Sequence, residues 1–386
     1  MPRFWESHSQ FTQKVEMKIK KVSVYQKDLP LSEPYWLSGG RLKFEVLDAT
    51  FVKIETDSGH IGWGEGTPWG HTYVPAHGPG IRAGIETIAS VLLGMDSRQN
   101  ERIEYVMDKE LPGHPYVKSP IDMACLDIAG QVAGLSLPDL LGGRYETGTR
   151  IMSSVSSGPP DYMMEIIGKY RKMGYRGHSV KVGGSDIELD IRRIRYIERN
   201  RLEGERILYD ANRAWTRREA VIVMNAVADL GVTFEQPCES TDDIKAVRAV
   251  TTSPISVDES LVSLNDMVRI AHEGIAEVAG IKINRVGGLT KAKRICDVAI
   301  AHGIQIYVMA TGGSVLADAE AASLAQTIPD EFRLGCWACQ DMLTIDVAPG
   351  RGPRSQHGEL RIPDVPGLGF SPDESLLGKP VAVYSA

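Results

Sequence analysis

Five short apolar segments each end in a lysine or a carboxylate, and their regular spacing is the strongest constraint on the fold. Each segment has the β-branched and apolar composition of a buried strand, and the residues between successive segments are enough for one helix. This period is typical of the strand–helix units of a (β/α) barrel, where residues at the C-terminal ends of strands point into the reactive mouth. The segments end in Lys181, Asp210, Glu235, Asp258 and Lys282, 23 to 29 residues apart.

Three more segments complete the eight strands that such a barrel requires. The first strand is predicted over residues 150–155, the seventh over 304–310 and the eighth over 332–337. We therefore predict an α/β fold, a modified TIM barrel, with the barrel domain over residues 141–345.

The residues before the barrel predict an α+β capping domain over residues 17–140. Apolar and polar residues alternate up to about residue 68, as in an antiparallel β-meander. Two loops rich in aromatic, glycine and proline residues are expected to interrupt it, at residues 31–40 and 67–80. Such loops suit a lid that closes over a ligand, although their rings could equally fill the interface between two domains. Helices are predicted over residues 81–93, 99–111 and 119–133.

We expect different structures at the two ends of the chain. Residues 346–386 are rich in glycine and proline and show no further strand–helix period, so we expect them to return to the capping domain. Residues 1–16 are polar and lack the apolar stretch of a signal peptide. We expect either a disordered extension there or a biological start at Met17.

Charge, hydropathy and cysteine content exclude several classes of function. A net charge of -7 without a basic block argues against nucleic-acid binding, and the lack of a long apolar run argues against a membrane span. Five scattered cysteines, an odd number, are typical of a reducing cytoplasm, where we expect the protein to reside. Cys336 and Cys339 have the spacing of zinc ligands, but no second pair follows, so we expect buried thiols.

The three acidic strand ends predict a metal site. Asp210, Glu235 and Asp258 follow three adjacent strands, so their carboxylates can converge above the barrel. Three hard oxygen ligands without histidine or cysteine select Mg²⁺, or Mn²⁺, over zinc. The alternative is that these acids form ion pairs with the lysines, but three converging carboxylates without a metal would repel one another.

The two lysines predict acid–base chemistry. Lys181 and Lys282 are four strands apart in a ring of eight, so they face each other across the barrel. A substrate carboxylate bound at the metal would have one lysine over each of its faces. A nearby cation lowers a lysine pKa and favours its use as a base. We therefore predict abstraction of a proton α to a carboxylate to give an enediolate.

These residues resemble those of a known family. From Met17 onward the chain is similar to members of the enolase superfamily, in the subgroup of muconate-lactonizing enzymes. The resemblance implies Mg²⁺ ligands at Asp210, Glu235 and Asp258 and an acid–base pair at Lys181 and Lys282, in a barrel that commonly forms homo-oligomers. It is carried by Ser119-Pro120-Ile121-Asp122-Met123-Ala124, Leu140-Leu141-Gly142-Gly143, Lys181-Val182-Gly183-Gly184, Asp210-Ala211-Asn212, Glu235-Gln236-Pro237, Asp258-Glu259-Ser260 and Lys282-Ile283-Asn284-Arg285-Val286-Gly287-Gly288.

Two positions depart from the subgroup's pattern. The subgroup usually carries Lys-x-Lys at the second strand, and Ser179 replaces the first lysine here. Its hydroxyl could contact substrate, or the substitution is merely tolerated. Dipeptide epimerases of the subgroup carry Asp-x-Asp at the eighth strand, where this chain has Trp337 between two cysteines. The Trp337 ring could hold a substituted ammonium by cation–π attraction, or it could be a core residue that caps the barrel.

The loops and the tail resemble the proline-derivative branch of the superfamily, which includes cis-3-hydroxy-L-proline dehydratases and hydroxyproline betaine epimerases. The small-molecule substrate is then expected to be an amino acid or a betaine carboxylate. We favour dehydration of cis-3-hydroxy-L-proline, because the betaine epimerases keep the lysine that Ser179 replaces. A racemase or epimerase of proline or its betaines, a dipeptide epimerase, a muconate-type or acid-sugar enzyme and a non-catalytic barrel are the alternatives. The expected substrate contacts are Tyr35, Trp36, Trp69, Tyr73, Ser179, Asn212 and Trp337.

Overall fold

The computed structural model describes residues 17–184 and 186–385. The extension predicted over residues 1–16 lies outside the described residues. The described residues form two main sheets, one antiparallel and one closed into a barrel of parallel strands. The predicted (β/α) barrel with an α+β cap is confirmed.

The cap begins with three antiparallel strands, followed by helices. The strands pair in chain order, which confirms the predicted meander. The third helix begins at Pro115, four residues before the predicted start, because proline suits the first turn of a helix and lacks only an N–H that would have no partner there. The elements are β1 Ile19–Leu37, β2 Leu42–Thr56, β3 Ile61–Gly66, α1 Gly78–Leu92, α2 Asn100–Glu110, α3 Pro115–Ala133 and α4 Leu137–Leu140.

The loop predicted over residues 31–40 is wrong. β1 continues to Leu37, and the turn that joins it to β2 is a short 3₁₀ helix at Ser38–Gly40. The pairing of β1 with β2 shifts register between Pro30 and Tyr35. Proline has no N–H to donate a hydrogen bond to the neighbouring strand, so a strand accommodates it at such an irregularity. The proline in this segment is why the sequence predicts a loop there.

The barrel consists of eight parallel strands that alternate with helices. β11 pairs with both β10 and β4, so the sheet closes on itself. A one-turn helix follows β9 directly, before the longer helix of that unit. The elements are β4 Gly148–Val155, α5 Pro160–Lys172, β5 Gly177–Lys181, α6 Ile187–Arg199, β6 Arg206–Asp210, α7 Arg217–Ala226, β7 Thr233–Glu235, α8 Thr241–Arg248, β8 Ile255–Val257, α9 Leu264–His272, β9 Val278–Lys282, α10 Ile283–Val286, α11 Leu289–Ala301, β10 Gln305–Met309, α12 Val315–Gln326 and β11 Arg333–Trp337.

The last part of the chain contacts both sheets. It contains β12 Glu359–Arg361, α13 Glu374–Leu377 and β13 Ala382–Ser385. β12 runs antiparallel to β4, and β13 pairs antiparallel with β1 at the edge of the cap sheet. No helix in the described part of the chain is long and apolar enough to cross a membrane.

The turn between β1 and β2 rests on the mouth of the barrel. Ser38 Oγ donates a hydrogen bond to the carbonyl oxygen of Asn212 at 2.9 Å, just beyond the end of β6. Gly39 has a positive φ of 62°, and a Cβ there would lie 2.3 Å from Cα of Gly184, in the loop after β5. Only glycine permits so close an approach in this conformation. The cap therefore covers the C-terminal ends of β5 and β6.

Glycines of β3 allow the cap helix α3 to pack directly on the strand. A Cβ at Gly64 would lie 2.0 Å from the carbonyl oxygen of Pro120, and a Cβ at Gly62 would lie 2.0 Å from that of Ala124. Real side chains do not reach such distances, so the strand and the helix would have to separate. β3 and α3 can therefore pack this closely because Gly62 and Gly64 have no side chains.

Replacement of Gly64 by alanine is therefore expected to destabilise the protein by about 1–3 kcal/mol, because overpacking shifts backbone that cannot yield. Gly168→Ala is the matched control: a Cβ there meets nothing within 4 Å, and the residue lies in α5. That control is expected to stabilise the protein by about 0.5–1 kcal/mol through helix propensity. Urea denaturation of both variants checks the pair, and equal stability of the two would contradict this account of the β3–α3 contact.

Candidate active site

One buried pocket lies between the cap and the C-terminal ends of the barrel strands. Its empty space of about 410 Å³ includes open solvent at the mouth, so the room inside is smaller and limits a ligand to a small molecule. It brings together ten of the twelve side chains predicted from the sequence to form the site. They are Lys181, Asp210, Glu235, Asp258, Lys282, Ser179, Trp337, Tyr35, Trp69 and Tyr73.

Lys181 and Asp210 form a buried ion pair on one side of the pocket. They end neighbouring strands and lie opposite each other in the register of β5 and β6. Lys181 Nζ contacts Asp210 Oδ2, and both side chains are buried. Burial alone would lower the pKa of Lys181, but the charge of Asp210, with smaller effects from Tyr35 and Glu235, raises this pKa above its ordinary value. As placed here, Lys181 is therefore charged.

Lys282 and Asp258 form a second ion pair on the other side. Lys282 Nζ lies 2.5 Å from Asp258 Oδ2, while the guanidinium of Arg285 lies 2.7 Å from Asp258 Oδ1. Burial raises the pKa of Asp258, but Arg285 and Lys282 outweigh it and hold this pKa well below its usual range. Asp258 is thus ionised and held from two directions.

Glu235 lies between the two pairs and has an unpaired oxygen. Its strand, β7, separates those of Asp210 and Asp258. Glu235 Oε1 is buried and has no hydrogen-bond partner among residues 17–184 and 186–385. Burial, with the negative charges of Asp210 and Asp258, raises the pKa of Glu235 well above its ordinary value. The positive charges of Lys181 and Lys282 offset this effect only in part.

The three acids fit a divalent cation by their chemistry, although they are not arranged as ligands here. Within residues 17–184 and 186–385, no three histidine, cysteine, aspartate or glutamate side chains are grouped closely enough to ligate an ion. Asp210 and Asp258 instead bond to the lysines, which is the alternative considered from the sequence. A cation would give the orphaned oxygen of Glu235 a partner and offset the repulsion among the acids. An all-oxygen donor set is the one Mg²⁺ takes.

An aromatic wall closes the side of the pocket beside the first and eighth strands. The rings of Tyr35 and Trp69 pack edge to face with their centroids 5.5 Å apart. Those of Trp69 and Trp337 do the same with their centroids 5.7 Å apart. Ser154 fixes two of them: its Oγ lies 2.7 Å from the Tyr35 hydroxyl and accepts a hydrogen bond from Trp337 Nε1 at 3.1 Å. Aromatic faces attract substituted ammonium groups, so this wall is chemically suited to a cationic nitrogen.

Tyr73 reaches the site from the cap. It lies in the irregular segment between β3 and α1, where the sequence predicts a loop. Its hydroxyl accepts a hydrogen bond from Lys282 Nζ at 2.6 Å and donates one to Asp258 Oδ2 at 3.1 Å. Arg213, just beyond β6, donates to the Tyr73 carbonyl oxygen at 2.8 Å. The cap loop is therefore fixed to two separate parts of the barrel mouth.

Trp36 and Asn212 do not line the pocket, contrary to the sequence-based expectation. Successive side chains of a strand alternate between its faces, and Tyr35 takes the inward one. The Trp36 side chain is consequently exposed, with its ring 5.5 Å from Lys43 Nζ. Asn212 is buried, but its Nδ2 donates to Glu259 Oε1 at 3.1 Å.

Several residues of the pocket were missed by the sequence analysis. Ser154 is near the end of β4, and Thr311 lies just beyond β10, so the strand-end rule applied to the first and seventh strands would have found both. Arg285 belongs to a motif noted above, but its bond to Asp258 had no signal in the sequence. Leu37, Tyr307 and Met309 complete the lining.

Comparison with known proteins agrees with this architecture. Residues 20–142 match the family of the mandelate racemase/muconate lactonizing enzyme N-terminal domain, and residues 163–376 match the enolase C-terminal domain-like family. A cis-3-hydroxy-L-proline dehydratase from Roseibium aggregatum is 39% identical over 370 residues, 96% of this chain and 100% of the relative.

Solved structures show the same likeness. A Silicibacter pomeroyi protein assigned to the mandelate racemase/muconate lactonizing enzymes has 60% identity and a TM-score of 0.92, covering 96% of this chain and 100% of its own. An enolase superfamily member from Roseovarius nubinhibens, solved in complex with magnesium, has 48% identity and a TM-score of 0.92 over the same shares.

Proposed function

Because the chain belongs to the mandelate racemase/muconate lactonizing enzyme family of the enolase superfamily, we propose that it is a Mg²⁺-dependent enzyme that abstracts the proton α to a carboxylate. The proposed substrate is cis-3-hydroxy-L-proline, and the proposed product is 1-pyrroline-2-carboxylate. The relative from Roseibium aggregatum, which carries this dehydratase activity in its name, supports the choice.

The placement of the two lysines carries the proposal. β5 and β9, which end in Lys181 and Lys282, are four strands apart in the closed ring of eight. Glu235, which ends β7, lies midway between them, and all three side chains line one pocket. A small carboxylate bound near Glu235 would have an amine towards each face. This arrangement suits removal of a proton from one face and donation of a proton to the other.

The stereochemistry of the proposed substrate needs two faces. In cis-3-hydroxy-L-proline the hydroxyl lies on the same face of the ring as the carboxylate, so the Cα–H bond lies on the opposite face. One lysine, uncharged, takes the Cα proton. The electron pair of the broken Cα–H bond forms the new carbon–carbon double bond as the C3–O bond breaks. The opposite lysine, as an ammonium, protonates the departing hydroxide to give water. The resulting enamine tautomerises to the imine.

The remaining residues of the pocket would bind the metal ion and orient the substrate. Asp210, Glu235 and Asp258 would hold Mg²⁺, which when bound supplies positive charge that stabilises the negative charge developing on the substrate carboxylate. The wall of Tyr35, Trp69 and Trp337 would face the ring nitrogen. Ser179 lines the same pocket and offers a hydroxyl to substrate.

Incubation with cis-3-hydroxy-L-proline and Mg²⁺ is expected to yield an imine that forms a coloured adduct with o-aminobenzaldehyde. The same reaction without protein is the control for spontaneous elimination. A lack of imine at high protein concentration would overturn the proposed dehydration.

The second candidate is a racemase or epimerase of proline or of a proline or hydroxyproline betaine. The same opposed lysines favour it, because a proton removed from one face can be returned to the other. It predicts uptake of solvent deuterium at Cα with loss of optical rotation and without imine. ¹H NMR in D₂O with Mg²⁺ distinguishes the two candidates in one experiment.

We also propose that the enzyme is cytoplasmic and acts as a homo-oligomer. All five cysteines are buried and free, which is consistent with a reducing compartment. The functional division proposed is a cap of residues 17–140 completed by residues 346–386, over a catalytic barrel of residues 141–345.

A further inference from the structure

The Tyr73 hydroxyl contacts Lys282, and within the described residues no hydroxyl forms a hydrogen bond with the other lysine. We propose that Tyr73 is a positioning residue, whose hydroxyl orients the Lys282 amine towards the substrate and so serves proton transfer on one face only. The inference rests on the proposed proton abstraction, but it assigns Tyr73 a role other than contact with substrate.

The contacts of Lys282 show what the hydroxyl adds. Its Nζ lies 2.6 Å from the Tyr73 hydroxyl, 4.9 Å from the centroid of the same ring and 2.5 Å from Asp258 Oδ2. A lysine amine ends a flexible four-carbon stem, so its direction is set by its partners. Asp258 is also a proposed metal ligand and is shared with Arg285. Tyr73 is not itself a proposed metal ligand, and its hydroxyl donates a further hydrogen bond to Asp258 Oδ2 at 3.1 Å.

The contacts of Lys181 differ. Its hydrogen bond within the described residues is to Asp210 alone. Tyr35 and Ser179 line the pocket with it, but the Tyr35 hydroxyl bonds to Ser154 instead. The two amines are thus supported unequally, and only the one on β9 is fixed by a side chain of the cap.

The position of Tyr73 is itself well determined. Besides the hydrogen bond from Arg213 to its carbonyl oxygen, the Arg213 guanidinium lies 5.8 Å from the centroid of its ring. Its side chain is buried. A Tyr73→Phe variant keeps the ring, its contact with Arg213 and the main-chain hydrogen bond, so it removes only the hydroxyl.

The test uses the two enantiomers of proline, which lack the 3-hydroxyl and so report only exchange of the Cα proton. In D₂O with Mg²⁺, each enantiomer presents its Cα–H bond to one of the two lysines. Lys282→Ala and Lys181→Ala assign the enantiomers to the lysines. Tyr73→Phe is then expected to slow exchange of the enantiomer assigned to Lys282 about tenfold, the loss of one hydrogen bond to a charged group, and to change the other less than about twofold.

The outcomes separate this inference from the proposed function. Equal slowing of both enantiomers, or no slowing of either, would overturn the positioning role of Tyr73 while leaving the lysine chemistry in place. Lack of exchange of both enantiomers in the wild-type protein would overturn this inference, whereas the proposed dehydration is tested separately by imine formation from cis-3-hydroxy-L-proline. Tyr25→Phe is the matched control, because it removes another buried hydroxyl, bonded to Glu374 at 2.9 Å in the cap and away from the pocket. It is expected to leave both rates unchanged.

Discussion

Replacement of Lys282 by alanine is expected to lower kcat by about 10²–10⁴, the usual contribution of a positioned acid or base. The amine is buried in the pocket at the end of β9, and its removal leaves one face of the substrate without its lysine. Steady-state assay of imine formation from cis-3-hydroxy-L-proline measures the effect. Lys181→Ala is expected to cause a loss of the same order, because the reaction needs one amine on each face.

Two further measurements make this prediction specific. Lys293→Ala removes a half-buried lysine on α11, which is paired with Asp297 and does not line the pocket, and should leave kcat unchanged. Cα exchange in D₂O should persist for one enantiomer of proline in each of the two site variants. Full activity of Lys282→Ala would contradict the proposed role of Lys282 and favour a different mechanism.

Replacement of Glu235 by glutamine is expected to abolish stabilisation of the protein by Mg²⁺ and to raise the stability of the metal-free protein. The pKa of Glu235 is raised in the folded state by burial and by its acidic neighbours. The carboxylate therefore costs stability as the pH rises above the ordinary glutamate pKa of about 4.3, and neutral glutamine removes this cost. Thermal unfolding at pH 7 and pH 5, with Mg²⁺ and with EDTA, measures both effects. The gain should be larger at pH 7.

Glu320 provides the matched control for a buried carboxylate that does not bind metal. Both of its oxygens lack a hydrogen-bond partner, it lies in α12, and burial raises its pKa well above the usual value. Glu320→Gln should also stabilise the metal-free protein but keep the full response to Mg²⁺. Retention of that response in Glu235→Gln would show that the ion binds without Glu235 and would contradict the predicted site.

The backbone positions of the site could be predicted from the sequence, but several side-chain directions could not. Lys181, Asp210 and Glu235 end strands whose spacing fixes their place in the ring, and periodicity alone reports that. The hydrogen-bond partners of the three acids depend on two opposing effects. Each carboxylate is repelled by the other carboxylates and attracted by a nearby lysine ammonium group. That balance is a three-dimensional property, and in this structure it turns Asp210 and Asp258 towards lysines.

The cap was harder to predict for a related reason. Tyr35 and Trp36 are adjacent in sequence, and which of them faces the pocket depends on the parity of β1 after the irregularity at Pro30. A single extra residue there exchanges the two faces. The contact of Tyr73 with Lys282 joins residues 209 positions apart and follows only from docking the cap on the barrel. Composition indicated that the aromatic loops contribute to the site, but it did not indicate which of their rings line the pocket.

The pairing of β13 with β1 has a consequence for biosynthesis. Lys21 lies beside Ser385, so the edge of β1 that pairs with β13 lacks this partner until synthesis has passed β13. A nascent chain can close its barrel earlier, yet it exposes an unpaired β-edge, the kind of surface through which unfinished proteins associate. Stalled or truncated translation products that lack β13 should therefore depend more on chaperones than products that contain it.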